Sequence, residues 1–322
     1  MLRVLHITNL YPVPERPSYG IFIKRQVDSL TARGISNEVL LIRGFESKIN
    51  YLRGIQEVRE VLNKNRFDLV NVHYGLTTFT SNWIKGYPLV YTYYGSDVMD
   101  SLQGRISRAF ASHANVHIVK SAQMKERLGI KSAIVLPDGI DLNLFKPIDK
   151  QEARRLLQVS PDARIILFIG NPASKVKRFW LAKDVVQKVS REFPDVQLMP
   201  LSGMPQEQLP AYYGAADLLL ATSAWEGSPN CIKEALACGL PIVSTDVGDV
   251  RKRIQGVSSS YVETDSPDAL AAHVMQILRN PQRTNGGEHI ESLSWDHIAE
   301  RIESVYEDVL TPPRDGHRSQ CV

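Results

Sequence analysis

Short runs of branched apolar residues alternate with helical stretches from the first residues onward, and this alternation limits the fold more than any other feature. RVLHIT (3–8), EVLLI (38–42), DLVNVH (68–73), PLVYTY (88–93) and NVHIVK (115–120) read as buried parallel strands, with helical periodicity between them. The helix that begins near Ile21 is predicted to stop at Gly34, a residue suited to a left-handed cap. A short strand, AIVLP, then leads through PDGID into the extended LNLFKPID, which reads as a linker with a boundary near 148. The pattern restarts with RIILFIG (164–170) and continues through a helix (179–193), VQLMPLS, a helix around 207–215, DLLLAT, a helix (229–238) and PIVST.

At 322 residues the chain is long for one core, so the expectation is α/β with two Rossmann-like, doubly wound domains, 1–148 and 149–294. WDHIAERIESVYEDVL (295–310) sets Ile298, Ile302, Val305 and Val309 near one face and is expected to return to the first domain; 311–322 reads as a frayed tail. An apolar content of 43% supplies two cores. Net charge is +3, but residues 1–150 hold 20 Lys/Arg against 13 Asp/Glu and the remainder 18 against 22. The basic first half suits an anionic acceptor or an acidic membrane surface, although solvated charge is the plainer explanation. No stretch of about 18 apolar residues is present and the start lacks a secretory pattern, so a cytoplasmic protein is expected, at most peripheral on the inner membrane face. Cys231, Cys238 and Cys321 suggest neither a disulfide framework nor a metal site, and no basic cluster with interleaved aromatics points to nucleic acid.

The chemistry concentrates in SAWEGSPNCIKEALACGLPIVSTDVGD (223–249). A strand ends in a loop, Ser228 serves as N-cap, Pro229 opens a helix, and Gly239-Leu240-Pro241 closes it. That order sets a helix amino terminus at the carboxyl end of a parallel sheet, where a diphosphate is the natural guest. Ile232, Ala235, Leu236 and Gly239 share the core face, so Asn230 and Glu234 are expected on the opposite side, facing out or into a cleft. Helix logic leaves two readings open. Glu234 could accept from a ribose diol and Glu226 from a sugar hydroxyl, or both could be solvated charges.

The eight-residue spacing of Glu226 and Glu234 within EGSPNCIKEALACGLPIV resembles the paired-glutamate signature of family 4 retaining glycosyltransferases, which have the GT-B fold. The resemblance implies that Glu226 approaches the transferred sugar, that Glu234 binds the donor ribose, and that Gly227, Ser228, Pro229 and Asn230 approach sugar and diphosphate. LHITNLYPVPERPSYGIFIKRQVDSLTARG resembles the family's first strand, glycine loop and helix, with Gly20 allowing backbone to approach donor phosphates or acceptor. VLPDGIDLNLFKP resembles the interdomain motif, with Asp138 where asparagine is usual. In LFIGNPASKVKRFWLA, Lys177 matches the family's phosphate-binding lysine; Asn171 occupies the position of its arginine, for which Arg178 or Lys175 could compensate. A second departure is Tyr94 in YTYYGSDVMD, where histidine is usual, leaving Asp97 and His73 as further acceptor-side candidates.

These features imply a retaining, metal-independent transfer of a sugar from a nucleotide-sugar donor to an acceptor hydroxyl, lipid-linked or anionic acceptors included, in polysaccharide, glycoconjugate or natural-product glycosylation. No cofactor is expected beyond the donor substrate, and no Asp-x-Asp pair of the GT-A kind is present to hold a metal. Two other classes are compatible, a hydrolysing nucleotide-sugar epimerase and a non-catalytic nucleotide-sugar-binding subunit.

Overall fold

The computed structural model describes residues 1–311; Cys321 and almost all of the expected tail lie outside the described residues. Two parallel sheets carry the fold. The first contains β1 (Arg3–Thr8), β2 (Ser36–Leu41), β3 (Leu69–His73), β4 (Leu89–Thr92), β5 (Val116–Val119) and β6 (Ile134–Val135), in the spatial order β2-β1-β3-β4-β5-β6. The second contains β7 (Arg164–Ile169), β8 (Val196–Leu201), β9 (Leu218–Ala221), β10 (Ile242–Thr245) and β11 (Tyr261–Glu263), in the order β11-β10-β9-β7-β8. Every pairing within the sheets is parallel, as runs apolar on both faces require. In both sheets the strand order reverses beside the first strand, which opens a crevice at the carboxyl ends of β1/β3 and of β7/β9.

The strand β11 and the helix Pro267–Arg279 were not singled out in the sequence; β11 is three residues long and only partly buried, so its apolar signal is weak. The helix Trp295–Leu310 packs on the helix Ile21–Ala32 of the first lobe. Ile298, Ile302, Val305 and Tyr306 are buried, Asn71 Nδ2 donates to the Tyr306 hydroxyl at 2.6 Å, and Arg33 pairs with Glu303 at 2.5 Å.

The helix Asn230–Ala237 departs from its expected amphipathic form. Cys231 through Ala237 are all buried, Glu234 and Lys233 among them, because Tyr213 and Gln206 of the same lobe close on Glu234 and the interdomain segment at Asp138 closes on Lys233. Lys233 Nζ donates to the Asp138 carbonyl at 2.8 Å, tying this helix to the interdomain segment, and burial lowers the lysine's pKa. Gly239 ends the helix with φ of 65°, as expected of a left-handed cap.

Candidate functional site

A cavity of about 370 Å³ lies between the lobes, at the carboxyl ends of both sheets. Ser18, Ile21, Phe22, Tyr94 and Asp138 form its first-lobe wall; Gly170, Lys177, Gln206, the loop from Glu226 to Cys231, and Glu234 form the other. The topology explains this convergence, because the loops after β1, β4, β7 and β9 all leave strands at the crevice.

Lys177 Nζ stands 2.6 Å from Glu226 Oε1, and Ser223 Oγ donates to the same oxygen at 2.9 Å. Burial pushes the Lys177 ammonium down, but the neighbouring Glu226 outweighs it and leaves the pKa above that of a free lysine. Lys177 is therefore charged at neutral pH. Glu234 is 4% exposed; it accepts from the Tyr213 hydroxyl at 2.7 Å and from Gln206 Nε2 at 3.4 Å. Burial raises its pKa against the opposing pull of those two bonds. Of the two expected placements, outward or into a cleft, the structure gives the second: Glu234 is a buried carboxylate at the cavity wall.

The helix starts one residue later than predicted, with Pro229 as its cap and Asn230 as its first residue. Ser228 does not cap it, since its hydroxyl donates to Asp249 Oδ2 at 2.9 Å. The helix amino terminus, whose first N–H groups lack intrahelical acceptors, still lies at the cavity through Pro229, Asn230 and Cys231. Among the described residues, Asn230 Oδ1 and Gln206 Oε1 are buried without a hydrogen-bond partner, and both residues line this space. Buried orphan acceptors of this kind mark where a ligand's donors belong.

Asn171, at the position of the family's arginine, and the two cations that could compensate for it, Lys175 and Arg178, are all absent from the cavity lining; Lys175 is exposed. Asn171 is exposed and accepts from the Ala173 amide at 2.9 Å, a local turn contact. Arg178 is engaged by the Thr222 and Ser223 carbonyls at 2.7 and 2.8 Å and by Asp265 at 2.6 and 2.8 Å, so it braces the loop rather than the cavity. Gly20 takes φ of 68°, and a side chain there would run into the Leu10 backbone. Its close approach is to its own loop.

On the first lobe the acceptor-side candidates divide. Asp97 is fully buried and accepts from the Tyr94, Gly95 and Gly75 amides at 2.7–3.1 Å; burial lifts its pKa to about 6 despite these bonds. It organises the loop and does not reach the cavity. His73 is likewise fully buried, with Nδ1 2.6 Å from the Tyr94 hydroxyl, so only Tyr94 of the three lines the cavity. The lobes meet tightly here: a side chain at Gly227 would collide with the Tyr94 carbonyl, and the Gly248 amide donates to Gln123 Oε1 across the junction at 3.0 Å. Sequence reasoning missed Gln206 and Tyr213, which lie in no quoted motif, and Phe22, which lies in the opening motif without a role; they meet Glu234 and Tyr94 only through the fold.

The family model for Glycosyltransferase Family 4 matches residues 15–144, and that for Glycosyl transferases group 1 matches residues 197–280. The chain is 24% identical over 331 residues to D-inositol 3-phosphate glycosyltransferase of Thermobispora bispora, a match covering 81% of this chain and 75% of the relative. Its fold resembles sucrose-phosphate synthase from Thermosynechococcus elongatus, with a TM-score of 0.80 at 18% identity, covering 96% of this chain and 99% of the other. It also resembles HepE of Anabaena, solved with UDP and glucose, with a TM-score of 0.73 at 16% identity, covering 96% and 100%. Family motifs in both lobes and GT-B architecture throughout make the chain a member of glycosyltransferase family 4.

Proposed function

We propose that the protein transfers a sugar, with retention, from a uridine-diphosphate sugar held mainly by residues 149–294 to a hydroxyl of an anionic acceptor held mainly by residues 1–148. One observation carries this reading: Lys177, Glu226, Glu234 and the start of the helix Asn230–Ala237 converge on a single cavity whose opposite wall belongs to the other lobe. Glu234 and Gln206 accept from the donor ribose, and the helix amino terminus with Lys177 receives the diphosphate, whose negative charge grows as the glycosidic bond breaks. Glu226 accepts from the sugar's hydroxyls. The acceptor hydroxyl attacks from the face that the phosphate leaves, and the departing phosphate oxygen takes its proton, so no protein nucleophile is required.

The choice of uridine is supported by the HepE complex, and that of an anionic acceptor by the inositol phosphate of the Thermobispora relative together with the basic first half of this chain. Among the described residues no helix is long and apolar enough to cross a membrane. Thermal melts of the purified protein against uridine, guanosine, adenosine and thymidine diphosphates test the donor site. A ligand at about 100 times its dissociation constant adds roughly 2.7 kcal/mol, and UDP should stand out. A flat response to all four would refute the proposal. Product analysis with UDP-glucose and no acceptor then separates transfer from epimerisation, which would release a free isomerised sugar.

A further inference from the structure

Four polar side chains cross the first sheet from its outer edge to the cavity, one for each neighbouring strand. Asn37 lies on β2, His6 on β1, His73 on β3, and Tyr94 two residues beyond β4. Asn37 stands opposite Val4, His6 opposite Asn71, and His73 opposite Thr92. Each member therefore sits two residues further toward the carboxyl edge than the partner of the one before. Side chains repeat on a sheet face every second residue, so all four share a face and run diagonally to the site.

Hydrogen-bond donation along this row has one consistent direction. Asn37 Nδ2 donates to Thr31 Oγ1 at 2.9 Å and to the Ile35 carbonyl at 3.0 Å, which leaves its oxygen facing His6 Nε2 at 2.9 Å. His6 must carry its proton on Nε2. Its Nδ1 then accepts from His73 Nε2–H at 2.8 Å, and His73 Nδ1 in turn accepts the Tyr94 O–H at 2.6 Å. Both rings are neutral, being fully buried with no carboxylate among their hydrogen-bond partners; burial pushes His6 down to about 4, and burial, His6 and Lys120 push His73 well below its ordinary value.

We propose that Asn37 acts through His6 and His73 as a positioning residue, fixing the Tyr94 hydroxyl as a donor into the lobe. Tyr94 then meets substrate with its ring and with acceptor lone pairs alone, so it neither donates a hydrogen bond to substrate nor acts as a base. It would favour a substrate hydroxyl over a carbonyl or phosphate oxygen at that point. The inference rests on the proposed function, in which the cavity that Tyr94 lines takes the substrates.

The test is histidine tautomer assignment by 15N NMR on the full chain, with UDP-glucose hydrolysis followed by UDP release as the kinetic readout. In the wild type, His6 and His73 should both show the Nε2–H tautomer, and His73 in the Nδ1–H form would overturn the proposal. Tyr94→Phe should leave both tautomers unchanged, because their order is set from Asn37; a changed His73 overturns it equally. Asn37→Asp places a carboxylate against His6, charges it and makes Nδ1 a donor. His73 should then switch to Nδ1–H and release the Tyr94 proton toward the cavity, shifting KM for UDP-glucose roughly three- to tenfold with UDP affinity unchanged. Retention of the Nε2–H form at His73 in that variant refutes control by Asn37. A switch without any kinetic change would leave the relay standing and remove Tyr94 from the substrate-facing wall.

Discussion

Glu226→Gln should make the protein bind UDP more tightly while it loses sugar transfer. In the free site Lys177 and Glu226 are 2.6 Å apart, with side chains 28% and 19% exposed. At that separation the gross attraction is roughly 6 kcal/mol for an effective dielectric of about 20. Desolvation and solvent screening offset most of it, so the net coupling is about 1 kcal/mol or slightly more. A diphosphate that recruits Lys177 must break this pair and leave Glu226 without its cation. Glutamine keeps the shape and removes that competition, so isothermal titration with UDP should show affinity raised about five- to tenfold. Turnover of the UDP-sugar should fall by about two orders of magnitude, as expected when a group that stabilises the transition state is removed. Lys177→Met should weaken UDP, and Glu226→Gln added to it should give no gain. UDP affinity unchanged or lowered in Glu226→Gln alone would show that Lys177 serves the diphosphate without leaving Glu226, or does not serve it.

Glu234→Ala leaves the buried Tyr213 hydroxyl unpaired and should cost about 1–3 kcal/mol of stability as well as weakening UDP; an unchanged melting temperature would contradict the buried placement. Gly227→Ala forces a methyl group into the Tyr94 carbonyl, so the lobes cannot close and turnover should drop at least tenfold, with UDP binding, measured by calorimetry, much less affected. His6 titrates near 6.5 when unfolded and about 4 when folded, so the native state binds fewer protons between those values. Its stabilising contribution is full above pH 6.5 and lost as pH falls toward 4, and the stability gap between wild type and His6→Gln should narrow by about 3 kcal/mol across that window in urea melts. Asn171 sits exposed in a local turn outside the cavity lining, so Asn171→Arg should leave UDP affinity unchanged in calorimetry; a several-fold gain would show that the loop after β7 brings this position to the phosphates.

The central strands β1, β3, β4, β7 and β10 were legible because each is an apolar stretch buried on both faces, which leaves a local signal as in Ile165–Phe168. The paired glutamates were legible as a motif, but their environment was not. Periodicity on the helix Asn230–Ala237 reports only which face is apolar; that the opposite face is closed by Tyr213, Gln206 and Asp138 depends on residues between 20 and nearly 100 positions away. Ser228 illustrates the same limit at shorter range, since a serine before proline favours a cap locally until Asp249 claims its hydroxyl. His6 and Asn37 carried no signal at all. Each reads as an ordinary polar residue at a strand position, and only sheet order brings them into line with Tyr94.

The cavity wall holds three carboxylates, Asp138, Glu226 and Glu234, and one cationic side chain, Lys177, which is an odd complement for a diphosphate. The partners around it resolve this. Asp138 is met by Lys120 at 2.8 Å and through its carbonyl by Lys233, and Glu234 is bonded by Tyr213, so neither draws on Lys177. Only Glu226 does. A bare nucleoside diphosphate that takes Lys177 strands Glu226, whereas a diphosphate bearing a sugar supplies hydroxyls to Glu226 in the same event. With the proposed roles of Lys177 and Glu226, sugar and phosphate would bind as coupled halves, and the pair would discriminate the intact donor from its own product. Once the sugar has left with the acceptor, Glu226 would again compete for Lys177, and that competition would favour release of the nucleotide, the kind of step that limits turnover in many enzymes.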